Sequence, residues 1–528
     1  MKQVSAVHLA WAVPVVVWTA TAFGQVAASP AREVTVKLKV TADFGKDVGQ
    51  CFGSVFEGRN AEGRVVMGAG FADVYNTRFR SDRFALQFFV RRPEGENSFT
   101  TETLPRSSTD GGLYMYSFDG VLHVHSEGDD RTVRYWDPAK REWAVSPDFK
   151  PRDVWSNDAM VRVGSGILKF EKSRVTYDGR PVLEPPEKGV YYAFYYGQGH
   201  LVFYHTLKEA TGGFTRLYAC PWTPDQDGPA DIEKAHVLNL TFVGETPFAY
   251  GQVGKKVVTC SNRGGLYVFD GNGWSTLRAP IENVSYQIYT MINHYDRLLM
   301  GQYPSGELFA YDGENVTQLT GWPPRIEGVS PSAREAQTTM IYCGDLFVGV
   351  WPWGEVWRYD ADAKQWLSLG RMFRLPPVTD AVVHPFEKEI KDFNATHGTD
   401  IVINNWGQRV TSMVPLGTDL MVSTSAKGHL PRDPRLAFLT DEVWEQYGRV
   451  IRLHMPGNLA VTMRWKGQPT QLEFIVERDR MIVLQDGVEL GTAPLEPTLA
   501  GQLRDVRITW GRGVFGPFQG TLSNPAAE

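Results

Sequence analysis

The chain reads as an all-β protein built on a six- or seven-bladed β-propeller, with a small β-sandwich-like module at its C-terminal end. Three observations point there. A short strand ending in an aromatic residue and an aspartate recurs along the middle of the chain. Its copies, closing at Asp137, Asp178, Cys220, Asp270, Asp312 and Asp360, lie roughly 40 to 50 residues apart, the spacing of propeller blades. Aromatic residues make up 12% of the chain, with 52 Gly, which fits strands joined by tight turns.

The clearest copy is Arg263-Gly264-Gly265-Leu266-Tyr267-Val268-Phe269-Asp270-Gly271-Asn272-Gly273-Trp274. Alternating side chains mark the strand, Asp-Gly marks the turn, and the tryptophan opens the next strand. Gly306–Gly313 and Gly354–Asp360 with Trp366 repeat it, as do Val133–Pro138 with Trp143, Val175–Gly179 and Leu217–Cys220. Each blade also shows an earlier hairpin. Asn293–Gly301 aligns with Tyr342–Gly349, with Leu416–Ser423 and with Gly197–Phe203. Six blade ends plus the 401–425 hairpin favour seven blades.

Taken in order, residues 1–24 read as a signal peptide. Lys2 precedes an apolar run from Ala6 to Trp18, and Ala22-Phe23-Gly24 forms a small-x-small cleavage site. The run is short for a membrane span, so export to a secreted or periplasmic location is expected, with no membrane span. Residues 25–110 form an N-terminal β segment. Glu33–Val40 alternates as a strand, 51–90 adds more, and 93–112 is polar enough to read as loop. This segment either leads into the propeller or closes its ring by lending a strand to the last blade. Residues 111–435 carry the repeat, and 440–528 form the C-terminal β-module, with a hairpin turning at Asp486-Gly487. The interval from Asp345 to Asp419 exceeds the repeat by about 25 residues. That excess defines an inserted segment, 372–400. It contains Pro385–Phe393, a helix with Phe386, Ile390 and Phe393 on one face, able to dock on the propeller.

Tyr135–Trp143 and Tyr359–Trp366 resemble the Tyr-Asp…Trp ending of kelch-type blades. The Gly-Gly pairs at 111–112, 212–213 and 264–265 are similar to the kelch dyad but sit too close to the last strand. Asp270–Trp274 resembles a sialidase Asp-box, with Val268 where that motif has Ser or Thr. Arg480–Gly491, with Arg504–Trp510 and Phe518–Gly520, resembles the closing strands of a concanavalin-like (laminin-G-like) sandwich. These resemblances imply architecture, and no catalytic residue is carried over from them.

The net charge of −6 and the lack of a basic block argue against a nucleic-acid partner. Cys51, Cys220, Cys260 and Cys343 are too few and too scattered for a disulfide scaffold, and read as buried thiols. His123 and His125 share one face of a strand, but no third ligand accompanies them, so no metal and no cofactor is expected. Asp296, Asp345 and Asp419 sit at hairpin turns and read as structural. Nucleophile elbow, phosphate loop and calcium loop are all missing from the sequence. Sequons occur at Asn239, Asn283, Asn315 and Asn394.

Topology locates a candidate site. In a four-stranded blade, the loop between strands two and three opens on the same face as the link to the next blade. Arg263, Tyr303, Trp351, Trp353 and Lys427 then ring one mouth, with His384 and His397 of the insertion above it. Aromatic faces beside cations suit a sugar. The expectation is an exported binding or scaffold protein for glycans or cell-surface polymers. The alternatives are a carbohydrate-active hydrolase or lyase with acids at the mouth, and a protein-interaction propeller. The sequence leaves open whether the chain is an enzyme. On this reading Trp353→Ala lowers affinity and spares stability.

Overall fold

The computed structural model describes residues 34–528 apart from 77–78, 96–97, 127–131, 151–159, 429–430 and 504. The expected signal peptide lies outside these residues. The protein is all-β, and its propeller has seven blades.

Blade one is Tyr114–Phe118, Val121–His125, Arg134–Asp137 and Glu142–Val145. Blades two to six start at Val161, Val190, Ala249, Gln287 and Glu335 and follow the same four-strand plan. Blade seven takes Gln408–Leu416, Asp419–Ala426 and Val450–His454 from one end of the repeat. Its fourth strand is Thr100–Thr103, which pairs with Val450–His454 and closes the ring. That strand falls within 93–112, expected to be loop, and Val450–His454 falls within the stretch expected to be C-terminal module.

The recurring sequence figure has a local cause. At the turn between strands three and four, an Asp Oδ1 accepts two backbone N–H groups: Ala139 and Lys140 on Asp137, Asn272 and Gly273 on Asp270, Glu314 and Asn315 on Asp312, Asp362 and Ala363 on Asp360. Aspartate provides such an acceptor without lengthening the turn. The tryptophan that follows packs back on the third strand, Trp274 at 5.3 Å from Phe269 and Trp366 at 5.0 Å from Tyr359.

The sandwich is not a C-terminal module alone. One five-stranded sheet runs Val488–Pro494, Arg480–Gln485, Thr470–Glu477, Val34–Asp43, Thr521–Ala527. The other runs Asn458–Thr462, Ala85–Val90, Val65–Phe71, Gly53–Arg59, Arg507–Trp510. Each sheet mixes strands from both ends of the chain, with the propeller inserted between them. Phe474 of the first sheet meets Phe56 and Phe88 of the second at 5.0 and 5.3 Å, inside a core that also holds Leu38, Val40 and Met481.

The sandwich covers the propeller face that carries the turns between strands one and two. Gly164 N–H donates to Asp47 Oδ2 at blade two, Gly199 N–H to Val48 O at blade three, and Gln252 Nε2 to Gly49 O at blade four. Tyr295 N–H donates to Val514 O at blade five, Cys343 N–H to Asn458 Oδ1 at blade six, and Gly417 O accepts from Ala460 N–H at blade seven. Arg91 of the sandwich reaches into blade six and ion-pairs with Asp345 and, at 3.0 Å, with Asp360, all three groups being buried. Asp345 is thus structural, but through a long-range ion pair rather than through its own turn.

A finger of the sandwich also enters the propeller axis. Tyr75–Asn76 pairs with the innermost strand of blade four and Phe79–Arg80 runs parallel to that of blade one, joining the two blades into a ten-stranded sheet. The Tyr75 ring packs at 5.1 Å from Tyr250 and 5.6 Å from Tyr195, the Arg80 guanidinium lies 4.1 Å above Tyr75, and Asn76 Nδ2 donates to Gln337 O of blade six. The axis is therefore filled by side chains of the protein itself. All four cysteines are buried and free, and no helix among the described residues is long and apolar enough to cross a membrane.

Candidate functional site

The face opposite the sandwich carries the inserted segment. Its helix spans Glu387–His397. Ile390 is buried, Phe386 stacks on Phe438 at 4.7 Å and Phe393 packs against the propeller core, so the apolar face docks on the blades. Glu387 fixes the entry to the helix. Its Oε2 accepts the N–H groups of Val383 and His384, and its Oε1 takes Lys391 Nζ at 2.6 Å. Burial would raise the Glu387 carboxyl, but the Lys391 ammonium and the two backbone donors hold it down at about 2.

Beneath this segment lie the tryptophans expected to rim a mouth. Trp353 is 0% exposed and Trp351 1% exposed. Trp353 Nε1 donates to Val383 O at 3.1 Å, and Arg371 stacks on its ring at 5.1 Å while donating to Trp353 O, Pro376 O and Gln408 Oε1. The insertion covers Trp353 rather than framing it, so the open aromatic rim is corrected to a sealed one. The physical reason is area: a large apolar ring under an 11-residue docked helix gains more from burial than from exposure.

Around Trp351 the structure does gather four of the expected residues. Lys427 Nζ sits 3.9 Å from the Trp351 ring and 5.6 Å from that of Tyr303, and the His384 ring lies 5.0 Å from Trp351. Lys427 and Arg409 both bind the fully buried Glu335, at 2.7 and 3.0 Å. Burial pushes the Glu335 carboxyl up, and the two cations outweigh it and leave it below the usual range. Burial also depresses His384, against the opposing pull of Glu387. Arg263 is elsewhere, stacked on Phe242 in blade four, and His397 is exposed with Nδ1 on Phe393 O of its own helix. His123 is buried and stacks on Phe149 at 3.9 Å, its pKa lowered by burial to about 4. His125 stacks on Tyr114.

What this face leaves open lies on the insertion itself. A cavity of about 490 Å³ is bounded by Val383, His384, Glu387, Asn394 and residues Asp400 to Asn404. A second, of about 550 Å³, lies between Asp400, Ile401, Val402, Asn405 and Trp406 on one side and Pro431 to Leu436 on the other. The two share the wall Asp400-Ile401-Val402, where Val402 is 55% exposed. Of the residues lining them, the sequence singled out His384 alone. Nothing in the sequence pairs Pro431-Arg432-Asp433-Pro434 with residues 400–406.

No protein-family model matches the chain, and no curated protein sequence does. Solved structures similar to it include the β-propeller domain of Cps50 (Swd1) from Myceliophteria thermophila, at 10% identity over 68% of this chain and 100% of that one, TM-score 0.35. YCF48 bound to D1 peptide is similar at 10% identity, covering 68% and 97%, TM-score 0.35. So is the PQQ-bound aldose sugar dehydrogenase of Streptomyces coelicolor, at 12%, covering 68% and 98%, TM-score 0.28. At these values no ligand, partner or activity passes from them to this chain.

Proposed function

We propose that this is an exported binding or scaffold protein that holds a glycan or cell-surface polymer on the insertion-bearing face of its propeller. The observation that carries the reading is the asymmetry of the ring. One face is bonded to the sandwich at blade after blade, and the axis is filled by Tyr75, Asn76 and Arg80. The insertion face is the propeller face left to solvent, and it carries two adjoining cavities with amide side chains at Asn404 and Asn405 beside the apolar Ile401 and Val402. Amides with apolar walls suit sugar hydroxyls and ring faces. The acid nearest the expected mouth, Glu335, is neutralised by two cations, which supports binding over acid–base hydrolysis. The kelch-type and concanavalin-like kinships belong to the same proposal, resting on the Tyr-Asp…Trp endings and the Arg480–Gly491 hairpin.

A protein partner is the second reading. It is favoured by an apolar cavity of about 540 Å³ on the same face, where Val190 and Tyr192 meet Lys208 and Thr246. The test is a glycan array run beside a hydrolysis screen, on the wild type and on a deletion of 380–398. The expected result is retained binding without product release in the wild type, and at least tenfold weaker or broadened binding in the deletion. Released sugar, or the lack of any glycan whose binding the deletion weakens, would overturn the reading. N-terminal sequencing of the mature protein checks export, with Gln25 expected first.

A further inference from the structure

A further cavity lies on the sandwich-bearing side of the propeller, away from the insertion face. It is a groove of about 1130 Å³ between the sandwich and the rim of blades one and seven. One wall is made by Val488–Pro494 and Asn458–Thr462, which are the terminal strands of the two sandwich sheets. The other is made by the first turns of blades one and seven, with Trp136 and Arg452. Its floor is fixed, because Ala460 N–H donates to Gly417 O at 2.7 Å across the seam. A groove pinned in this way loses little freedom when it is filled.

Four cations line it, Arg162, Arg452, Arg464 and Lys466, against three carboxylates, Asp119, Asp419 and Glu489. Asp119 is held by Arg162 at 2.7 Å, and Asp419 by His454 at 2.8 Å and by Arg452 at 3.7 Å. Lys466 pairs with Asp486 at 2.6 Å. Arg464 is different. Its backbone is clamped, with N–H on Gln485 Oε1 and O accepting from Gln485 Nε2, while its guanidinium is exposed and has no carboxylate partner among the described residues. A cation set on a held backbone, beside hydroxyls of Thr462 and Thr492 and the apolar flanks of Val461 and Leu490, is suited to a chain of hydroxylated rings bearing an acidic group.

We propose that this groove is a second binding site, taking an anionic carbohydrate chain whose carboxylate or sulfate is held by Arg464. The site is distinct from the insertion face and does not depend on it. It is tested on the full-length protein by titration with polygalacturonate, heparin, neutral dextran and polyglutamate in low and high salt, using the wild type, Arg464→Glu, Arg464→Ala and the 380–398 deletion. Binding of at least one acidic polysaccharide is expected, weakened at least tenfold by Arg464→Glu and less by Arg464→Ala. It should fall with salt, because the contact is solvent-exposed, and be unchanged by the deletion. The two acidic polysaccharides separate a carboxylate ligand from a sulfate one. Equal binding of dextran, binding untouched by Arg464→Glu, stronger binding of polyglutamate than of either acidic polysaccharide, or no acidic polysaccharide bound at low salt would each overturn the proposal. A circular-dichroism melt of Arg464→Glu matching the wild type excludes unfolding as the cause.

Discussion

On the sandwich face of the propeller, polar groups of blades two to seven are spent on another part of the same chain. On the insertion face, the equivalent loops are covered at blades six and seven and left to solvent elsewhere. Both covers bury aromatic and charged groups, but by different chemistry. The sandwich uses a buried guanidinium, backbone bonds and an axial finger, so its hold is spread around the ring. The insertion uses one amphipathic helix and a carboxylate that pins its first turn. The contrast teaches that a propeller face is not a binding site by virtue of its topology. What covers the face decides, and here most of one face is given over to architecture.

That contrast can be broken from the strongest contact downward. Arg91→Ala removes the cation that Asp345 and Asp360 share, leaving the buried Asp345 only Arg358 at 3.5 Å, and should lower stability by about 4 kcal/mol in denaturant unfolding. Trp353→Ala removes a fully buried ring and should cost about 3 kcal/mol, reversing the expectation drawn from a rim position. A melting temperature equal to the wild type in either variant would show that its cover is looser than described.

Asp82 sharpens the comparison through pH. It lies at the base of the axial finger, with Oδ1 on Phe84 N–H, and burial lifts its pKa to about 6. A carboxyl raised in the folded state binds its proton more tightly there than in the unfolded chain. Its contribution therefore favours folding below pH of about 4 and is lost as pH rises to about 6. Asp82→Asn should make the protein about 2 kcal/mol more stable at pH 7.5 and flatten the profile between those limits. A profile unchanged by the substitution would contradict the placement of Asp82. The smallest effect is expected at Gln337, whose buried amide makes no side-chain hydrogen bond beside the finger. Gln337→Met should shift stability by less than about 1 kcal/mol, in either direction, in the same unfolding assay.

The blades were legible because their cause is local. Asp137, Asp270, Asp312 and Asp360 each solve the same four-residue turn, and the tryptophans pack a few residues away. Thr100–Thr103 was not legible. An outermost strand with its side chains mostly exposed carries no apolar alternation, so it looks like any polar loop. The sandwich was read as C-terminal only, because its other strands lie at the far end of the sequence and their pairing with Thr470–Glu477 leaves no mark in either. The same holds for the site. Trp351 and Trp353 declare themselves as loop aromatics, but the sequence does not say that Val383 and His384 come down on top of them.

Hydrogen–deuterium exchange on the intact protein tests the asymmetry of the two faces most directly. Peptides across the turns at Gly199 and Tyr295, whose amides donate to the sandwich, should exchange only on global unfolding. A peptide covering residues 208–213, an exposed loop on the opposite face, should exchange within the first time points. Equal, rapid exchange at all three would contradict the account, since it would mean that the sandwich does not cap the propeller.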